Sequence, residues 1–383
     1  MTVTHPVTEP AGTGLPEHDH AALLAYSRDR FDIPPVLPRF PLPDERFVTV
    51  WRSYAAQVAQ TGSIECLQSC LPQLAFPIEE GMSAHPAYLQ ATRRGIFPAT
   101  GDVRGLGFLQ PERCRLQVHQ SCAGAIPVLT AETREDFVSL VRAFAGKNEP
   151  IAVPSSMGAS MIGGYNNWHR IHKLKSDFVA AGGSAADWPA EFERIKADRD
   201  LYQDRFIVLS SGPYSGVDAG MLGLTHNQWI ACSGIIRLEH ECAHYFTRRL
   251  LGRMRNHLVD EIMADYAGLR EAFSEFRAFH LLCFLGLEQY PNYRDGGRMQ
   301  NYSASVCEAP EAKRALRDLV WRAAWNLERF DRAISSRYSR PEALCSIGSM
   351  PLEDLADDQA PRQLAETFGR LQAAAATMAF ETT

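Results

Sequence analysis

The stretch LEHECAHYF, residues 238–246, sets His240 and His244 four apart, with Glu241 directly after the first. On an α-helix, residues i and i+4 share a face one turn apart, so two imidazoles can converge on a single cation. A strand would hold them too far apart. Glu241, beside the same face, can take a proton from a water on that cation. The competing reading is an amphipathic helix with surface histidines. A second acidic pair with the same spacing, Glu261 and Asp265, favours the metal.

Two elements must position these groups. Ile235, Ile236, Leu238, Ala243, Phe246 and Leu250 recur at helical spacing, and Gly252 sits where that helix should stop. Asn256 is the expected N-cap of the next helix, whose apolar side carries Leu258, Ile262, Met263, Tyr266 and Leu269. Sixteen residues lie between His244 and Glu261, enough to finish one helix, turn and return alongside. Ala264 and Gly268 are small enough to allow close approach. Glu261 would then be the third ligand, with a fourth position left to water. Asp265 could hold the other ring nitrogen of a liganding histidine.

HECAH followed by DEIMAD resembles the gluzincin metallopeptidases, whose pattern is HExxH with ExxxD on a later helix. The likeness covers about 35 of 383 residues; the remainder resembles bacterial proteins carrying the same HExxH core, which names no substrate. The resemblance implies His240, His244 and Glu261 as zinc ligands, Glu241 as general base, Asp265 as a partner of His240, and a two-helix metal core. Such a zinc site lowers the pKa of its water to roughly 7. The expected activity is hydrolysis of a peptide or of an amide-containing small molecule. The same ligand types also hold Fe²⁺ for oxygen chemistry, so a non-haem iron oxygenase is the alternative, and a catalytically silent metal-binding protein a third. A carboxylate base between the histidines favours water activation over both.

A hydrolase also needs a donor for its oxyanion. Tyr245, Tyr266, His226, His257 and Tyr302 are near in sequence, although packing or surface roles account for each, and His257 could instead be a ligand. Tyr214, in the loop SSGPYSGVDAG, is placed at the cleft rim. Arg248, Arg249, Arg253 and Arg255 complement a helix C-terminus. Arg255 could instead clamp an acidic group of the substrate. Tyr214, Arg255 and Tyr302 are therefore the candidate substrate contacts. Cys242 points about 200° around the helix from His240 and is expected to be buried. The pairs His119–Cys122 and His280–Cys283 read as core or surface before they read as further metal sites.

Bulk composition bounds these readings. Hydrophobic residues make up 45% and charged residues 22%, as in globular proteins. A net charge of −6 argues against nucleic acid as a partner. No apolar run is long enough to span a membrane, and the first residues carry no secretory pattern. Nine cysteines without a CxxC pair suit a reducing cytoplasm. The Ser/Gly-rich stretches match no nucleotide-binding pattern, though their backbone N–H groups could bind an anion. Oligomeric state is not legible.

Along the chain, residues 1–20 are expected to be disordered. Helices are expected at about 44–60, 63–74 and 84–94, and strands and turns over 104–130. Thr130 and Glu132 open a further helix, ended by Gly146. Apolar runs beginning near 150 and 205 read as strands that spill into Ser/Gly loops, with helix over 168–200 between them. Helices then come at 228–251, 256–276, 277–289, 309–336 and 361–379, with a loop at 291–302. The expected fold is α+β, helix-dominated, with a small central sheet. Residues 21–150 would be a mainly helical elaboration and 151–383 the metal-binding catalytic region, in one continuous domain from residue 21.

Overall fold

Where apolar residues run continuously, in AIPVLTA and FIVLS, they form the two central strands of a four-stranded sheet. This is the consequence of burial on both faces. A computed structural model describes residues 23, 25–98, 104–254, 257–303 and 309–381. The segment 1–20 lies outside the described residues. By its internal contacts the chain falls into two units, Pro38–Leu250 and the described parts of Met1–Leu37 with Leu251–Thr383.

In the unit Pro38–Leu250, the sheet order is β1-β2-β4-β3. Strands β1 (Arg115–Ser121) and β2 (Gly124–Ala131) form an antiparallel hairpin. β2 lies parallel to β4 (Gln203–Ser210), which pairs antiparallel with β3 (Ala159–Asn166). One sheet thus joins strands from either side of residue 150. Helices α1 (Val48–Thr61), α2 (Pro86–Arg94) and α3 (Arg134–Phe144) precede β3, and α4 (Trp168–Ala180), α5 (Trp188–Ile195) and α6 (His226–Leu251) come after it. Trp51 and Tyr54 of α1, Phe137 and Leu140 of α3, and Phe206 and Val208 of β4 share one core. Asp204 is fully buried there; it accepts from Trp51 at 2.8 Å and Asn167 at 2.6 Å and pairs with Arg170. Paired in this way, a buried carboxylate is tolerated.

Three local expectations are corrected. The helix expected to open at Thr130 and Glu132 is α3, Arg134–Phe144, capped by Thr133, while Thr130 belongs to β2. The helix expected at 63–74 is a pair of 3₁₀ turns, Ile64–Ser69 and Pro72–Ala75; Pro72 lacks the donor that a continuous helix would need there. β3 is formed by ASMIGGYN, expected as loop, while 151–154 is not strand. Its pairing with β4 outweighs the low strand preference of glycine. The register shifts between Ile162 and Tyr165, where Gly163 and Gly164 intervene and Gly164 has φ 68°.

The other unit is helical: α7 (Leu258–Phe273), α8 (Ala278–Leu285), α9 (Met299–Ser303), α10 (Pro310–Ile334), α11 (Arg340–Gly348), α12 (Leu352–Leu355) and α13 (Ala360–Glu381). α7 packs on α8 and α11, and α10 on α8 and α13. Gly348 permits the close approach of α11: a Cβ there would meet Met263 Sδ at 2.9 Å. Asp331 of α10 accepts from Tyr266 at 2.6 Å, Arg270 at 3.0 Å and the Phe276 amide at 3.0 Å, fastening both α7 and the turn between α7 and α8 to α10. The cap of α7 is His257, whose Nδ1 accepts from the Val259 amide at 3.3 Å. Asn256, the expected cap, lies outside the described residues. α9 occupies part of the expected loop 291–302, and α11 and α12 are helices that the sequence pattern does not predict.

The architecture is α+β and helix-dominated, with a small mixed sheet. Among the described residues, no helix is long and apolar enough to cross a membrane.

Candidate metal centre

α6 has 26 residues and therefore rises about 39 Å. It ends as its sequence indicates, at Leu251, with Gly252 next at φ 71°. Its buried side carries Trp229, Ile236, Ala243 and Phe246. His240 and His244 are also buried, each 7% exposed, with their Nε2 atoms 3.1 Å apart and their rings crossed at 84°. Zinc–nitrogen bonds of 2.0–2.1 Å in a tetrahedral shell set two ligand nitrogens roughly 3.3 Å apart. The histidine pair fits that requirement. An N–H···N hydrogen bond is the other use of the same two atoms.

The loop leaving β4 is fastened to α6 by α6 itself. Arg237, 3% exposed, donates to the carbonyls of Ser210 at 2.8 Å, Gly212 at 2.9 Å and Pro213 at 3.2 Å. Burial pushes its pKa down to about 10, with Tyr214 and Glu241 opposing, so it remains a cation at neutral pH. Ser233 Oγ accepts from the Tyr214 amide at 3.0 Å, and Trp229 donates to the Val217 carbonyl at 2.8 Å. Between these anchors Ser215 takes the left-handed φ of 54°, a turn uncommon for a residue with a side chain. The result puts the Tyr214 hydroxyl 2.9 Å from His240 Nδ1. If Nδ1–H donates to the phenol oxygen, the lone pair of Nε2 is directed toward His244. Glu241 stands half-buried on α6, one turn after Arg237.

In the helical unit, Glu261 and Asp265 lie on α7. Tyr302 donates to Glu261 Oε2 at 2.8 Å, Arg298 stands 3.8 Å from the same oxygen, and Arg298 also pairs with Asp265. The Glu261 side chain is 12% exposed and that of Asp265 1%. Burial holds the Tyr302 hydroxyl well above its ordinary pKa, so it stays a donor. Tyr302 lies on α9, not in a loop, because residues 299–303 close one helical turn.

The remaining candidates divide clearly. Arg255 lies outside the described residues. His257 Nε2 donates to the Tyr26 carbonyl at 2.9 Å while Nδ1 caps α7, a structural pair of contacts. Tyr245 donates to Glu45 at 2.7 Å and Tyr266 to Asp331, so both hydroxyls are held within their own units. Arg249 donates to the Pro43 carbonyl at 2.8 Å, and His226 is exposed at the start of α6. Cys242 is buried, as its helical position requires. His280 packs against Phe273 with ring centroids 4.7 Å apart. Nothing in the local sequence distinguishes Arg237 or Arg298. No motif marks an arginine that holds carbonyls, or one that reaches back 37 residues to Glu261 and 33 to Asp265, as Arg298 does.

The chain belongs to a family of unknown function (DUF7005), which it matches over residues 12–359. No curated protein and no solved structure matches it.

Proposed function

We propose that this DUF7005 member is a zinc-dependent hydrolase of peptide or amide bonds, with His240, His244 and Glu261 as the metal ligands. The observation that carries the reading is the 3.1 Å separation of two buried imidazole nitrogens on one rigid helix. A cation is the most economical reason to bury two imidazoles side by side with one of them braced by a phenol. Glu261 is the proposed third ligand because Tyr302 and Arg298 already hold its carboxylate in one orientation. Asp265 supports it from behind through Arg298.

Zinc held there supplies Lewis acidity, bringing water to a pKa of roughly 7 and polarising a carbonyl. Glu241 takes the proton of the attacking water and delivers it to the leaving amine. Tyr214 fixes the ring of His240, and Arg237 fixes the loop that carries Tyr214. A base next to the histidine pair supports hydrolysis over oxygen chemistry. We further propose a peptide or amide-bearing substrate and a cytoplasmic setting, which nine cysteines without a CxxC pair suit.

Internally quenched peptides and chromogenic amides, incubated with the full chain, test the activity. Turnover abolished by a chelator and restored by added zinc supports the reading. Turnover indifferent to the chelator removes the metal from the reaction.

A further inference from the structure

α6 carries a second set of metal-ligating side chains on its other face. Glu239 and Cys242 are three apart, so they share a face turned by roughly 150° from that of His240 and His244. That face meets His119 of strand β1. His119 Nε2 lies 3.0 Å from Glu239 Oε1, and one ligand atom from each of His119, Glu239 and Cys242 lies within 4.8 Å of the others. Glu239 is 5% exposed and Cys242 2%, while the His119 side chain keeps 26% exposure.

We propose that His119, Glu239 and Cys242 bind a transition-metal ion of the zinc class, independently of the HExxH pair. The donor set selects the ion. A thiolate excludes the hard cations Mg²⁺ and Ca²⁺, whereas nitrogen, sulfur and carboxylate together suit Zn²⁺ or Co²⁺. A cation bound there would turn the Cys242 thiol into a ligand by displacing its proton to solvent. The partly exposed His119 edge gives the ion its entry. Bound there, the metal ties edge strand β1 to the helix that bears the catalytic candidates, bracing α6 from behind.

The competing account is an ordinary His–Glu pair beside an inert thiol. Cobalt separates the two, because a thiolate ligand gives Co²⁺ an intense near-ultraviolet charge-transfer band that the sulfur-free HExxH pair cannot produce. Co²⁺ alone is titrated into metal-free full-length protein. The wild type should develop the band, and excess Zn²⁺ should remove it. Cys242→Ser should abolish it. His119→Gln, a change at a partly exposed strand position, should weaken Co²⁺ binding read from that band by about tenfold or more. Should Cys242→Ser fail to fold, His119→Gln decides alone. A wild type without the band overturns the proposal, as does a band that survives Cys242→Ser or an unchanged affinity in His119→Gln. Hydrolytic activity does not enter these readouts.

Discussion

The hydroxyl of Tyr214 lies 2.9 Å from Nδ1 of His240 across 26 residues of sequence, and it gets there because α6 holds the loop that carries it at Ser210, Pro213 and Val217. The helix that bears the histidines therefore also builds their support.

Replacing that phenol should weaken binding of the proposed zinc without unfolding the chain. Tyr214→Phe keeps the buried ring and loses only the hydroxyl. Zinc affinity, measured by competition with a chelating dye, should fall by about 10–100-fold. An unchanged affinity would detach Tyr214 from the metal.

Arg237 tests the layer behind. Arg237→Met removes the donor to three carbonyls in a buried setting. The expected cost is about 2–4 kcal/mol of stability, seen as a lower urea midpoint. A midpoint equal to wild type would show that the loop holds itself.

Glu241 has no place among the proposed ligands, so its removal should separate binding from turnover. Glu241→Gln should keep its zinc and lower kcat by about 10²–10⁴-fold. Turnover at the wild-type rate would assign the proton transfer elsewhere.

His280 gives a pH dependence unrelated to the proposed metal. Burial pushes its pKa down from 6.5 to about 4. The unfolded chain therefore takes up the proton first as pH falls, and stability is lost from about pH 6.5 down to pH 4, by up to about 3 kcal/mol. His280→Leu should flatten that part of the stability–pH curve in denaturant titrations. An equally steep curve would place the dependence in other groups.

How far these features were legible depended on sequence distance. α6 and its stop at Gly252 were readable because helix periodicity and a C-terminal glycine are local signals. β3 was not, since its glycines become strand only when β4 is beside them. α11 escaped notice because nearly every position in RPEALCSIG is buried, so no polar face marks a period. The i, i+4 pairs were visible as spacing. Their supports were not: Tyr302 stands 41 residues from Glu261, and His119 120 residues from Glu239. The helical position of Cys242 implies its burial, but what it faces there is set by the sheet.

The most direct test is the zinc content of protein purified without added metal, measured by mass spectrometry and compared with His244→Ala purified in parallel. The variant, still folded by circular dichroism, should hold about one zinc per chain less than the wild type. Equal zinc in the two proteins, or none in either after growth in zinc-replete medium, would contradict it.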